Sequence, residues 1–129
     1  MWFNYAQGKE KVNFMFNNEL RLNGVEFHSF TYHDISKLSL RFNTKIIPEI
    51  FPEKWAVNKF NSISISLVFT EVRMLKVNLN NINFICTPDI QMIGNSIQLS
   101  IEAEQNSFIC LANFMFIDEI MPHFDHRSK

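Results

Sequence analysis

NSISISLVF, residues 61 to 69, sets Ile63, Ile65, Leu67 and Phe69 at every second position, with Ser62, Ser64 and Ser66 in the gaps. A helix would scatter these four apolar side chains around its circumference, whereas an extended chain sends successive side chains to opposite faces. The stretch is therefore predicted to be a β-strand with one buried and one hydroxyl-bearing face.

The same period spreads outward. Upstream, Lys37 to Asn43 puts Leu38, Leu40 and Phe42 inward and Ser39 and Arg41 outward, and before it Val25, Phe27, Ser29 and Thr31 alternate with Glu26, His28, Phe30 and Tyr32. Downstream, strands are predicted at Met74 to Leu79, Ile82 to Cys86, Ile97 to Ala103 and Ser107 to Ile117. Short polar turns separate them: Asn80-Asn81, Gly94-Asn95-Ser96 and Glu104-Gln105-Asn106. SFICLANFMFI, residues 107 to 117, is apolar on both faces. That suits a central strand, with a buried helix as the alternative. Lys9 to Phe16, with Val12 and Phe16 four apart, reads as a short helix.

The sum is a mostly β domain: an antiparallel sandwich or half-open barrel of about seven to eight strands behind a short N-terminal helix. A single domain is expected over residues 1–129, with a helical lead-in at 1–24, strands at 25–117 and a tail at 118–129. One core suits a chain of 129 residues. No apolar run approaches the roughly 20 residues needed to cross a bilayer. MWFNYAQGKEKVNF at the start lacks the basic and apolar regions of a secretory signal, so a reducing cytoplasm is expected. In that compartment Cys86 and Cys110 are expected to be free thiols packed as small hydrophobes.

Charge is unevenly spread. No Lys or Arg occurs between Lys76 and Arg127, while that stretch holds Asp89, Glu102, Glu104, Asp118, Glu119 and Asp125. The basic residues are scattered, which argues against a nucleic-acid partner and favours a basic protein. Glu102 and Glu104 would project from the same side of a strand end, as an acidic docking surface that steers such a partner.

Catalytic chemistry finds little support. His28 and His33 are five apart, so on a strand they point to opposite faces, and His33-Asp34 falls in a turn. HFDHR, residues 123 to 127, has the HxxH spacing of a metal site but reads as a solvated tail, so no metal is expected. No GxSxG, P-loop, GxGxxG, CxxC or HExxH pattern occurs, so neither an enzyme nor a cofactor is expected. The Phe and Met content leaves one alternative from another class, a small β-barrel around an apolar ligand.

RFN at 41–43, IIPEIFPEKW at 46–55 and KFNSISISLVFTEVRMLKV at 59–77 form a strand, a proline-broken loop closing on Lys-Trp, and a strand linked to the next by EVRML. This segment resembles immunity protein family 50 of bacterial polymorphic toxin and contact-dependent growth inhibition systems. Trp2 and a helix before the first strand look like the same family. The resemblance is good over residues 20 to 80 and looser elsewhere. It departs from the family's adjacent prolines, because Pro48 and Pro52 stand apart.

The resemblance implies a cytoplasmic, mostly β protein that binds and blocks one cognate toxin domain with no catalysis of its own; no cofactor and no membrane association are expected either. The toxin would be basic, of ribonuclease or deoxyribonuclease type. No toxin-contacting residues carry over from the family; the acidic second half makes Glu102, Glu104, Asp118, Glu119 and Asp89 the expected toxin-binding residues, with Asp125 behind them, while Trp55 and Trp2 are expected to be structural.

Overall fold

The computed structural model describes residues 1–127; Ser128 and Lys129, the last two of the predicted tail, lie outside the described residues. A 3-10 turn at Trp2–Tyr5 leads into helix α1 (Glu10–Phe16). Seven strands follow: β1 (Val25–His33), β2 (Lys37–Thr44), β3 (Ser62–Asn78), β4 (Ile85–Cys86), β5 (Asp89–Ile93), β6 (Ser96–Ala103) and β7 (Asn106–His123). They form one antiparallel sheet in the order β4-β1-β2-β3-β7-β6-β5, not closed into a barrel. Of the two predicted forms, a second packed sheet is absent among the described residues. No described helix is long and apolar enough to cross a membrane.

The alternation of residues 61 to 69 is reproduced. Ile63, Ile65, Leu67 and Phe69 are fully buried, and Leu40, Phe42, Ile117, Ile120 and Met115 pair beside them on β2 and β7. The sheet coils until the Phe27 ring of β1 lies 5.5 Å from the Phe108 ring of β7, although β2 and β3 separate those strands in the sheet order. Phe27 also stacks on Phe84 at 5.1 Å, and Phe30 meets Phe108 edge-on at 5.1 Å. Phe3, Val12, Phe16 and Leu20 complete the core from the N-terminal segment. Trp55 is buried at one end between Phe51 and Phe60, and the Trp2 indole Nε1 donates to the Leu20 carbonyl at 2.7 Å.

Four expectations are corrected. The two strands predicted over Asn61 to Phe69 and Met74 to Leu79 are one strand, β3, because no Gly or Pro stops it. It bends instead at Glu71, whose φ is +53°, and at a bulge between Val72 and Met74. A bulge between Phe27 and Ser29 shifts the alternation of β1 by one, which turns Phe30 onto the core side and leaves Ser29 and Thr31 outside. The edge strand β5 was not expected, since a five-residue run with only Ile90 buried carries little periodic signal. Finally, β7 continues to His123, so Asp118 to His123 belong to the sheet and not to a tail.

Strand β6 accompanies β7 only as far as Ala112, which leaves the rest of that edge without a strand. Gln7 covers part of it through a parallel bridge to Phe116. Its amide donates to the Met115 carbonyl at 2.9 Å, and its carbonyl accepts from the Ile117 amide at 2.8 Å. Gly8, at φ +86°, then turns the chain into α1.

Candidate protein-docking site

The outward face of the sheet carries polar rows. Arg41, Ser66 and Glu119 lie side by side across β2, β3 and β7, and Asn43, Ser64 and Met121 form the next row. Alternation makes this face the complement of the core, so side chains that repeat every second residue arrive together without any further device.

The acidic residues separate into two groups. Asp89 pairs with Ser100, two positions before Glu102 on β6, so those two carboxylates are diagonal neighbours. Glu104 follows in the tight turn Glu104-Gln105, with φ of +51° and +68°, held by the Asn106 side-chain Nδ2 donating to the Ala103 carbonyl at 3.0 Å. Asp118 and Glu119 stand near the opposite end of β7, roughly 35 Å further along the strand from the Glu102 level at about 3.3 Å per residue. Among the described residues none of these five carboxylates has a salt-bridge partner.

Beside Asp118 and Glu119 lies a groove of about 610 Å³ between α1, the 3-10 turn Glu53–Val57 and Asp118 to Pro122. Phe14, Met15, Trp55 and Met121 line it together with Lys11 and Lys54. Phe14 is 64 % exposed and Met121 44 % exposed. Lys11 Nζ donates to the Asp118 carbonyl at 2.7 Å, which leaves the Asp118 carboxylate outside that contact. Phe14 was legible in outline, because it falls between Val12 and Phe16 of the helix, whereas Met121 needed β7 to continue past Ile117.

HFDHR is not a solvated tail. The Asp125 amide donates to Asn61 Oδ1 at 2.8 Å, and Asn61 Nδ2 donates to the Asp125 carbonyl at 3.1 Å. Lys45 Nζ bonds the Asp125 carboxylate at 3.1 Å. Arg127 sets both terminal nitrogens on the Glu26 carboxylate at 2.8 Å and its Nε on Asp125 at 3.0 Å. Asp125 is thus ion-paired within the chain, whereas the other acids of the second half have no salt bridge among the described residues.

Arg127, helped by Asn43, holds the Glu26 carboxyl below its ordinary value of 4.5 against the opposing effect of burial. Arg127 and then Lys45 hold Asp125 well below 3.8. A carboxyl depressed in the folded state stabilises the fold above its unfolded value, and that contribution disappears as pH falls through the folded value. The urea midpoint is therefore expected to stay level from pH 7 to about 5 and then fall with acid, less steeply in Glu26→Gln. Equal acid slopes in the two proteins would contradict this account.

The histidines have separate surroundings. His33 Nδ1 lies 3.1 Å from the Asp34 carboxylate and His28 Nδ1 3.0 Å from the Ser29 hydroxyl, while the His126 ring meets the Phe124 ring edge-on at 4.6 Å. No group of three possible metal ligands converges among the described residues. Cys86 and Cys110 are free and buried, and burial pushes both thiols up to about 12, which keeps them protonated near neutrality.

Fold and surface together define a small mostly β domain on one open antiparallel sheet, with Asp89, Glu102 and Glu104 set apart from Asp118 and Glu119. The chain belongs to the family Immunity protein 50, whose model matches residues 8–123. It is an immunity protein, and membership implies a protein toxin as its partner. No curated protein and no solved structure matches the chain.

Proposed function

We propose that this immunity protein acts in the bacterial cytoplasm, as part of a polymorphic toxin or contact-dependent inhibition system, by covering the active site or substrate cleft of a basic, nuclease-type toxin domain. The observation that carries this reading is the contrast among the acids. Glu26 and Asp125 are neutralised within the chain, whereas Asp89, Glu102, Glu104, Asp118 and Glu119 have no cation at salt-bridge distance among the described residues. Unpaired surface carboxylates complement a basic cleft and accelerate encounter with it.

Of the two groups, Asp118 and Glu119 are the better docking end. They adjoin exposed Phe14 and Met121, and an apolar anchor beside complementary charge is what a binding hot spot requires. The reading of an apolar ligand inside a barrel loses its premise, because the sheet is open and its inward side chains pack into the core.

The test is co-purification with the carboxy-terminal toxin domain encoded next to this chain. Asp118→Lys/Glu119→Lys is expected to slow association at least tenfold and to weaken its salt dependence, with Glu102→Lys/Glu104→Lys within about threefold of wild type. The opposite ranking would move the interface to the other end of β7. Absence of any complex with a folded toxin domain would overturn the reading.

A further inference from the structure

The ion-paired end of the outward face holds a feature that pairing alone does not explain. Glu26 is a carboxylate only 8 % exposed on the outward side of β1, and a buried charge of this kind requires a cation. Arg127 supplies it from a side chain that is 62 % exposed and lies beyond the anchor of the C-terminal segment. That anchor is Asp125, whose bonds to Asn61 and Lys45 do not involve Arg127.

A cleft of about 350 Å³ opens beside Glu26, walled by Asn43, Lys45, Asp125 and Arg127. In it Asn43 is 8 % exposed, its Nδ2 donates to Glu26 at 3.4 Å, and its Oδ1 is buried with no hydrogen-bond donor among the described residues. Ser64, opposite Asn43 on β3, has a buried hydroxyl that is equally unpartnered among the described residues. Arg127 reaches the two carboxylates and leaves these oxygens unmet. A guanidinium carries five N–H donors in a planar fork, enough for a bidentate bond to Glu26 and another to an amide oxygen beside it.

We propose that the Glu26–Asn43–Asp125 cleft is a receptor for an arginine side chain of the toxin, and that Arg127, part of its wall, holds the Glu26 carboxylate in the free protein. This rests on the reading of the chain as a binder of a basic toxin. Exchange of one guanidinium for another keeps Glu26 paired throughout, so the complex forms without exposing a lone buried charge.

Two measurements test it. Arg127→Ala is expected to lower Tm, and guanidinium chloride at a few millimolar to restore it where methylammonium chloride does not, because an ammonium cannot bond in the forked geometry. Equal recovery with both salts, or with neither, would overturn the receptor. In toxin binding, Arg127→Ala removes the competitor and is expected to raise affinity about fivefold to tenfold. Asn43→Ala, which removes the unmet Oδ1 acceptor together with the Nδ2 bond to Glu26, is expected to weaken affinity about tenfold in protein that circular dichroism shows to be folded. If wild type binds toxin but Arg127→Ala weakens the complex or leaves it unchanged, arginine exchange is wrong while the immunity reading stands. If wild type binds no toxin, that reading falls with the exchange, and the guanidinium recovery alone decides whether the cleft is a receptor.

Discussion

Phe108→Ala is expected to destabilise the fold by about 3–5 kcal/mol, which for a domain of this size lowers Tm by roughly 10–20 °C. Phe108 is fully buried on β7, pairs with Val77 of β3 and Ile101 of β6, and meets the rings of Phe27 at 5.5 Å and Phe30 at 5.1 Å. Those ring contacts join β1 to β7 across the coiled sheet, where no hydrogen-bonded ladder does so. Truncation would leave a cavity lined by residues of four strands, and a site held from so many directions collapses poorly. Phe114→Ala on the same strand is the control. Phe114 is 43 % exposed on the outward side, so its loss is expected to cost about 1 kcal/mol or less. Thermal unfolding of the two variants checks the contrast, and equal Tm losses would refute this account of how the sheet is held.

Gly8→Ala is expected to cost about 2–4 kcal/mol, from a residue with no side chain to lose. Its φ of +86° is a conformation that L side chains rarely adopt, and a Cβ there would lie 2.7 Å from the Ile117 carbonyl oxygen. That oxygen is backbone of β7 and cannot swing aside. The chain must shift where Gln7 pairs with Met115 and Ile117, and α1 with its core residues Val12 and Phe16 is carried on that junction. Urea unfolding of Gly8→Ala beside Gly24→Ala separates the causes. Gly24, at φ +62°, has no atom of the described residues within 4 Å of an added Cβ, so it reports the strain of the backbone alone. A loss no larger than that of Gly24→Ala would show that the contact with Ile117 does not matter.

Alternation by itself determined that this is a mostly β antiparallel domain, and that Ile63, Ile65, Leu67, Phe69, Leu38, Leu40 and Phe42 face inward. A two-residue period is a local property, readable wherever a strand has one dry face. Only the tertiary structure decided where that period slips. The bulges near His28 and Asp118 and the bend at Glu71 depend on the strand lying alongside, and nothing in the local residue types marks them. It also decided which acids are free: Glu26 and Arg127 are 101 residues apart in the chain, and their pairing exists only because the C-terminal segment crosses the outward face of the sheet. The acidic half of the sequence is one compositional block, yet an 18-residue strand carries Asp118 and Glu119 away from Asp89, Glu102 and Glu104. Composition counts charges, whereas strand direction and length set the distances between them, and electrostatic complementarity to a partner depends on those distances.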